Sequence, residues 1–228
     1  MSKTHLRHPW RLTVAQAMRL QSRLARRVRQ TPVKKPIHFV AGGDCAIMPD
    51  KKRIVAAWVV WDVLNRRVVE AAHAVRSLTF PYVPGLLSFR EMPALLAAAR
   101  KLRATPDVYM LDGQGLAHLR RFRLACHFRV YVDCPTLGCA KSRLCGTHKS
   151  PKEAIGSQSP LLNGDEQIGC VLRTRTGIKP IYVSVGHRMT LDDAVRIAML
   201  CCTKYRIPEP TRLADQLVGR LRIETNPA

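Results

Sequence analysis

Three acidic side chains stand at positions where they could carry out chemistry. Asp44 follows the run FVAGG, Glu91 lies within SFREMPALL, and Asp112 ends the apolar segment VYML. Clustered carboxylates repel one another in a low-dielectric site unless a cation neutralises them. A few carboxylates with water and substrate phosphate are the usual ligands of Mg²⁺, which activates water in phosphodiester cleavage. Taken singly, each acid is equally compatible with a helix cap or a surface ion pair.

The charge of the chain indicates what such a site would act on. The 228 residues include 38 Lys and Arg against 16 Asp and Glu, a formal net charge of +22. Basic surface binds polyanions because phosphates release their counterions on contact. The composition therefore favours a nucleic-acid partner, and it leaves open a basic nucleic-acid-binding protein without catalysis.

Hydrophobic periodicity predicts the elements that must position the three acids. Three apolar, β-branched segments separated by short breaks predict an antiparallel meander over residues 37–48, 53–64 and 66–75. Helical spacing follows, with Ser88 as the N-cap and Glu91 in the first turn. In a mixed sheet the first strand and the strand over 108–111 can be neighbours. Asp44 and Asp112 would then meet, with Glu91 approaching from the covering helix.

The remaining pattern alternates helices and strands. It predicts a helix near 119–127, a strand over 129–133, hairpin strands near 168–173, a strand over 181–186, a helix capped by Thr190 and a last helix from Pro210. A Gly-, Ser- and charge-rich stretch occupies about 136–180. Together these elements predict a single α/β domain over residues 1–228, with a mixed sheet covered by helices.

The N-terminal segment is basic and amphipathic. Ten Lys or Arg residues precede Asp44, the first acid, and apolar residues recur at helical spacing from Val14 to Val28. We expect residues 1–35 to contain a helix that docks on the domain and faces the nucleic acid. An Arg-rich, acid-free segment is also typical of an organelle transit peptide, although no cleavage signal is evident.

The cysteine pattern and the hydropathy of the chain indicate the cellular compartment. The eight cysteines form no C-x-x-C pair, and no apolar run approaches the roughly 20 residues of a membrane span. We therefore expect reduced thiols, no membrane partner, and a location in the bacterial cytoplasm or nucleoid. A zinc site from Cys139, Cys145 and His148 is an alternative that lacks an obvious fourth ligand.

Six segments carry a resemblance to a known family. They are FVAGGDCA, FPYVPGLLSFREMPALL, DGQGLAHLRRFRLACH, PTLGCAKSRLCG, IGCVLRTRTGIKPIYVSVGHRMTLDDAV and PEPTRLAD. In this order, from about residue 13 to 217, they resemble the successive motifs of the endonuclease V family, the deoxyinosine 3′ endonucleases. The resemblance implies an RNase H-like fold and Mg²⁺ dependence, with Mn²⁺ as a substitute. It also implies a nick at the second phosphodiester bond 3′ to deoxyinosine in DNA, leaving a 3′-hydroxyl and a 5′-phosphate.

The resemblance also assigns roles to residues. It implies that the catalytic, metal-holding acids are Asp44, Glu91 and Asp112. Asp215 would be an accessory carboxylate, His118 would handle the attacking water or the phosphate, and Lys141 would contact the scissile phosphate. From the residues alone, His118 reads as a side chain at a helix N-terminus and Lys141 as a solvated cation. We expect a monomer, and an endoribonuclease for inosine-containing RNA remains an alternative.

The segment PYVPG would present an aromatic ring to the duplex. Prolines on both sides of Tyr82 stiffen the backbone of an exposed loop, and the wedge of the family has this sequence. An extruded base is read by hydrogen bonds to its edge, for which the candidates are Gly85, Gly113 and Leu144. Gly113 and Gly115 would let the backbone approach a ligand closely.

The chain departs from the family pattern at two places. A second glycine, Gly43, stands where a branched residue is usual, and Cys45, Ala46 and Ile47 follow Asp44 in place of a small residue and an aromatic one. This departure concerns strand packing or the floor of the base pocket. Arg123 and Arg129 stand where neutral residues are common, which could strengthen nonspecific binding to DNA.

Overall fold

The fold is a mixed β-sheet covered by helices, seen in a computed structural model that describes residues 8–224. The strands are β1 (Phe39–Ile47), β2 (Arg53–Asp62), β3 (Arg67–Ser77), β4 (Val108–Asp112), β5 (Thr136–Ala140), β6 (Gln158–Asn163), β7 (Glu166–Leu172) and β8 (Ile181–His187). The helices are α1 (Val14–Ala25), α2 (Leu87–Ala99), α3 (Leu124–Phe128), α4 (Leu191–Leu200) and α5 (Glu209–Glu224). The predicted α/β class is confirmed. The extent of the domain, residues 1–228, stays a prediction, and residues 1–7 of the predicted docking segment lie outside the described residues.

All eight strands belong to one sheet, in the order β3-β2-β1-β4-β5-β8-β7-β6. The meander β1–β3 is antiparallel as predicted, because its breaks are too short for a crossover. The strand β4 returns through α2 to pair parallel with β1, and β5 pairs parallel with β4. The sheet therefore places the carboxyl ends of β1, β4 and β5 side by side.

Helices cover both faces of this sheet. On one face α2 packs on β2 and β3, and its apolar residues join Trp58, Tyr109 and Leu111 in the largest core cluster. Helix α1 lies outside that layer, where Leu20 and Leu24 pack against the start of α2 and the segment that leads into α3. On the opposite face α5 packs on β1 and β2, and α4 packs on β8. The layers run α1, α2 with α3, sheet, and then α4 with α5.

Capping confirms two of the predicted helices. Thr13 closes a capping box with Gln16 at the start of α1, and Thr190 closes one with Asp193 at the start of α4. Each box satisfies backbone N–H groups that have no partner within the helix. The basic N-terminal segment thus contains the helix α1, and the predicted cap at Thr190 is confirmed.

Three predictions near the site are wrong. Helix α2 begins at Leu87, so Ser88 is not its N-cap and Glu91 is not in its first turn. Ser88 is buried, and its hydroxyl forms a hydrogen bond with Nδ1 of His127 at 3.0 Å. The predicted helix near 119–127 is only α3, because Arg121 adopts a positive φ of 51°. Residues 129–133 form turns that follow α3, whereas the strand β5 lies within the stretch predicted as a loop.

Candidate active site

Three carboxylates meet at the carboxyl end of β4, where its pairing with β1 stops. Gly43 pairs with Leu111 across these parallel strands, so Asp44 and Asp112 are the next residues on the two strands. Asp215 of α5 joins them, and one carboxylate oxygen from each of the three lies within 4.8 Å of the others. The predicted meeting of Asp44 and Asp112 is therefore confirmed.

Glu91 lies outside this carboxylate group. Strand residues alternate between faces, and Gly42, two residues before Asp44, faces the start of α5. Asp44 accordingly projects towards the face that carries α5, whereas Glu91 belongs to α2 on the opposite face. This alternation explains why Asp215 joins the two strand carboxylates and Glu91 does not. Glu91 is still near enough to interact electrostatically with Asp112 and Arg123.

Close approach of backbones sets the geometry of the group. A Cβ at Gly42 would lie 2.0 Å from the carbonyl carbon of Pro210, so only glycine lets the start of α5 rest on β1. A Cβ at Gly138 of β5 would lie 2.5 Å from the carbonyl oxygen of Gly113. These contacts place Asp215 against β1 and bring Lys141, just after β5, next to Asp112.

Burial and the charges of neighbouring carboxylates raise the pKa values of Asp44, Asp112 and Glu91. Burial, and then the charge of Asp112, raises the pKa of Asp44 to about 8. Burial also raises the pKa of Asp112, against the hydrogen bond from Lys141. Burial raises the pKa of Glu91 to about 7, with Arg123 opposing and Asp112 adding to the shift. A group of acids in this state is poised to bind a cation, which would favour the ionised carboxylates.

Lys141 links two of the acids. Its Nζ donates to Asp112 Oδ2 at 2.7 Å and to Asp215 Oδ2 at 3.0 Å. Burial lowers the pKa of Lys141, but the hydrogen bonds and charges of Asp112 and Asp215 outweigh it, so the net shift is upwards. Lys141 therefore stays a cation and is held at the carboxylates by two ion pairs. Its ammonium group contacts the carboxylates, although the side chain is 41% exposed to solvent.

His118 lies in a buried loop, not at a helix N-terminus. Its ring Nδ1 accepts the backbone N–H of Arg120 at 3.1 Å, and its Nε2 points towards Gly85. Burial, and then the charges of Arg120 and Arg123, lowers the pKa of His118 to about 4. The ring is therefore neutral at pH 7, with Nδ1 as acceptor and the proton on Nε2.

The segment around Tyr82 is exposed, as predicted. The Tyr82 side chain is 69% exposed, and Leu144 is also exposed, at 44%. Gly85 and Gly113 have positive φ values of 80° and 143°, which only glycine adopts easily. A Cβ at Gly113 would meet only Leu124, so there is free space on that side of the residue, while its N–H donates to Cys139 O at 3.3 Å. Gly115 differs, because a Cβ there would lie 2.1 Å from the carbonyl oxygen of Val185; its role is packing.

The sequence interpretation missed the residues that hold this loop. Gln21 of α1 is buried, and its Nε2 donates to Gly85 O at 2.9 Å and to Phe122 O at 2.6 Å. Arg120 donates to Gln21 Oε1 and to Gly85 O. A polar Gln21 on the apolar side of the α1 pattern was the available signal, since buried amides require partners.

The alternative zinc site is not formed. Cys139 is buried in β5, while His148 contacts Tyr182 Oη at 3.3 Å. Within residues 8–224 the acids Asp44, Asp112 and Asp215 make up the group suited to a metal ion. All eight cysteines are free thiols. The donor set is carboxylate oxygen, which suits Mg²⁺ or Mn²⁺ better than zinc.

Comparison with known proteins identifies the family. The endonuclease V family model matches residues 22–216. Endonuclease V of Roseiflexus castenholzii is 46% identical over 216 residues, covering 95% of this chain and 96% of the relative. The chain belongs to the endonuclease V family. It shares with that family the activities of a DNA repair nuclease and hydrolase, and the predicted family resemblance is confirmed.

Solved structures of the family share the fold. The crystal structure of endonuclease V from Streptomyces avermitilis superposes with a TM-score of 0.91 at 43% identity, covering 95% of this chain and 96% of that one. A Ciona intestinalis endonuclease V, in complex with DNA containing an inosine followed by a ribo-adenosine, has a TM-score of 0.82 at 25% identity, with coverages of 93% and 99%. The RNase H-like fold is thus confirmed. Within residues 8–224 every helix falls short of the length and hydrophobicity that a membrane span requires.

Proposed function

We propose that this chain is a Mg²⁺-dependent endonuclease that nicks DNA at the second phosphodiester bond 3′ to deoxyinosine. The observation that carries the proposal is the carboxylate group of Asp44, Asp112 and Asp215 beside Lys141, in a chain that also presents the ring of Tyr82 on an exposed loop. Membership of the endonuclease V family supports it, as does the inosine-containing DNA bound by the Ciona relative. The products would be a 3′-hydroxyl and a 5′-phosphate.

The acids would hold the metal ion. Asp44 and Asp112 would be its ligands, with Glu91 reaching it from the α2 side and Asp215 supporting it from α5. The repulsion that raises the pKa of Asp44 to about 8 would be relieved when a dication binds. When bound, Mg²⁺ would lower the pKa of a water molecule and stabilise the charge of the leaving oxygen. Mn²⁺ offers the same chemistry to the same oxygen donors.

The other side chains would position the substrate. Lys141 would give up part of its ion pairing with Asp112 and Asp215 and bind the scissile phosphate. Its charge-assisted hydrogen bond to that phosphate would stabilise the negative charge that develops there. Tyr82 would enter the base stack and so stabilise an extruded base. Gly85, Gly113 and Leu144 would border that base.

His118 would act as a neutral group. Its pKa of about 4 keeps the imidazole uncharged at pH 7, so it would donate the Nε2 proton rather than serve as a cation. The nearby Arg120 and Arg123 enforce this state. We propose that it orients a phosphate oxygen or the attacking water next to Gly85.

Paired substrates test the reaction. Two duplexes identical except for one deoxyinosine are incubated with wild type in Mg²⁺, in Mn²⁺ and in EDTA. We expect one nick, one nucleotide beyond the lesion, with either metal and none in EDTA. Asp112→Asn should lose cleavage by at least a hundredfold and keep DNA affinity, whereas Asp50→Asn, on the exposed β1–β2 turn, should cleave like wild type. Cleavage of both duplexes alike would contradict recognition of the base.

Matched deoxy and ribo substrates decide between DNA and RNA. An enzyme for inosine-containing RNA would require the 2′-hydroxyl near the scissile bond. We expect cleavage of the all-deoxy strand. Cleavage restricted to the ribo strand would favour the RNA alternative, and unchanged binding in EDTA with no cleavage of either strand would indicate a non-catalytic binding protein.

The proposal includes the compartment and the assembly. A monomer in the bacterial cytoplasm or nucleoid would have access to genomic DNA, and eight free thiols fit a reducing compartment. Light scattering of the purified chain would test the monomer.

A further inference from the structure

A concave basic surface lies on the outer side of α1. This basic cleft has a volume of about 450 Å³ and is lined by Met18, Arg19, Ser22, Arg23, Arg26 and Arg120. Arg19, Arg23 and Arg26 follow one another at i, i+4 and i+7, so they share one face of the helix. Four guanidinium groups therefore border one cleft, and the proposed reaction assigns no role to Arg19, Arg23 or Arg26.

No carboxylate balances this charge within the described part of the chain. The first acid in the sequence is Asp44, and no ion pair of the described residues includes an arginine of α1. Like charges at i, i+3 and i, i+4 destabilise a helix by a few tenths of a kcal/mol. An anion in the cleft would relieve this repulsion.

The cleft is joined to the loop that carries Tyr82. Arg120, at its floor, donates to the carbonyl oxygen of Gly85 at 3.2 Å. Gln21 of α1 donates to the same oxygen at 2.9 Å and also accepts from Arg120. The backbone of the proposed base pocket and the arginine face of α1 are therefore one connected structure, not two independent surfaces.

The order of the layers defines a path for a nucleic-acid strand. Asp215 belongs to α5 on one face of the sheet, Asp44 lies in β1 beside Asp112 at the end of β4, and Gly85 precedes α2 on the other face. Helix α1 lies outside α2. A strand that crosses the ends of the sheet passes the carboxylates first, then Gly85, and then α1. The bond that is cut lies 3′ to the base in the pocket. The part of the strand on the 5′ side of that base would therefore lie along the basic cleft.

We propose that the basic cleft binds the phosphate backbone of the substrate strand on the 5′ side of the lesion. This rests on the proposed function, which fixes the direction of the strand. From Arg19 to Arg26 the helix rises about 10 Å. One strand of B-DNA advances 3.4 Å of helix axis per phosphate, so the cleft spans about three phosphates. Planar guanidinium groups suit phosphate oxygens by bidentate hydrogen bonding.

The experiment compares two triple variants of the full chain. The first carries Arg19→Ala, Arg23→Ala and Arg26→Ala; alanine favours the helix, so folding is preserved. The control carries Lys34→Ala, Lys35→Ala and Lys101→Ala, which remove the same charge from exposed positions away from the cleft. Thermal unfolding confirms that both variants are folded. Affinity is measured by fluorescence anisotropy in EDTA, on a deoxyinosine duplex with long flanks and on duplexes trimmed on the 5′ or the 3′ side of the lesion.

The arginine variant should bind the long duplex about 30-fold more weakly, roughly threefold for each lost phosphate contact. The slope of log affinity against log salt should fall by about three. This difference should persist on the 3′-trimmed duplex and disappear on the 5′-trimmed one, and the lysine control should stay within about twofold of wild type. Equal affinity of the arginine variant and wild type, or a difference lost on 3′ trimming instead, would overturn the proposal.

Cleavage by wild type separates this proposal from the reaction. If wild type nicks beside deoxyinosine while the arginine variant binds as tightly as wild type, the reaction stands and the cleft proposal fails. If wild type nicks nothing while the 5′-dependent loss of affinity is observed, the cleft proposal stands and the proposed reaction fails.

Discussion

The substitution Asp44→Asn should stabilise the metal-free protein while it abolishes cleavage. Burial and the neighbouring Asp112 raise the pKa of Asp44 from 3.8 to about 8. An unfolded chain ionises this group near pH 4, whereas the folded chain keeps the proton until about pH 8. Stability is therefore lost as the pH rises through this window. Asparagine has nearly the same shape, can still accept the N–H of Cys45, and never ionises.

The magnitude follows from proton linkage. Each pH unit above the unfolded pKa, up to the folded pKa, lowers the free energy of unfolding by about 1.4 kcal/mol. A folded pKa near 8 therefore lowers the free energy of unfolding at pH 7 by at most about 4 kcal/mol. Because Asp44 is partly exposed to solvent, we expect Asp44→Asn to gain about 2 to 4 kcal/mol at pH 7 and about 1 to 2 kcal/mol at pH 5.

Urea unfolding in EDTA at pH 5 and pH 7 measures this gain. Asp215→Asn is the matched control, since the Asp215 side chain is 51% exposed and an exposed ion pair contributes at most about 1 kcal/mol. Added Mg²⁺ should raise the stability of wild type and have little effect on Asp44→Asn, because binding to the folded state is what stabilises it. A variant less stable than wild type at both pH values would refute the claim that the carboxylates are strained without a cation.

Other predictions concern packing, a buried histidine and the site lysine. Gly42→Ala should lower the free energy of unfolding in urea by at least about 3 kcal/mol, since its Cβ would meet the backbone of α5. Gly219 lies in α5 with open space around it, so Gly219→Ala should raise the free energy of unfolding by about 0.5 to 1 kcal/mol. Burial lowers the pKa of His187 to about 4, so wild type should lose stability as the pH falls below about 6.5, and His187→Gln should flatten that loss. Lys141→Met should cut the single-turnover rate by at least tenfold, because Asp112 loses its cation; an unchanged rate would exclude a role at the phosphate.

The sequence predicted the elements whose periodicity is clean. The β-branched runs of β1 to β3 and the capping box at Thr190 require no information from elsewhere in the chain, and both predictions are confirmed. The sequence indicated that β1 and β4 can be neighbours in a mixed sheet, and the structure pairs them in parallel. The meeting of Asp44 with Asp112 follows from that pairing and is present in the structure.

The participation of Asp215 instead of Glu91 in the carboxylate group was not predictable from spacing. Which face of β1 presents Asp44 depends on the register of the whole strand, and that register is fixed by contacts with distant residues. The start of α5 packs against Gly42 on one face of β1. On the other face Gly43 leaves room for the ring of Trp58, which would lie 2.6 Å from a Cβ at position 43. The unusual second glycine before Asp44 is therefore explained by strand packing, one of the two interpretations that the sequence left open.

The segment from Gly113 to Arg123 shows why local pattern failed closest to the site. The predicted helix near 119–127 would include its last five residues, but side chains of this segment form hydrogen bonds with partners elsewhere in the chain. Arg120 bonds Gln21 and the Gly85 carbonyl, and Arg121, at a positive φ, bonds the His118 carbonyl and Glu166.

These contacts hold an irregular loop in place of a helical turn, and that loop buries His118 beside Gly85. A regular helix at residues 119–123 would satisfy its own backbone and leave Gly85 without the Arg120 guanidinium. Local helix propensity is thus overridden where the chain builds the wall of the proposed base pocket. The same contacts join that wall to α1 through Gln21.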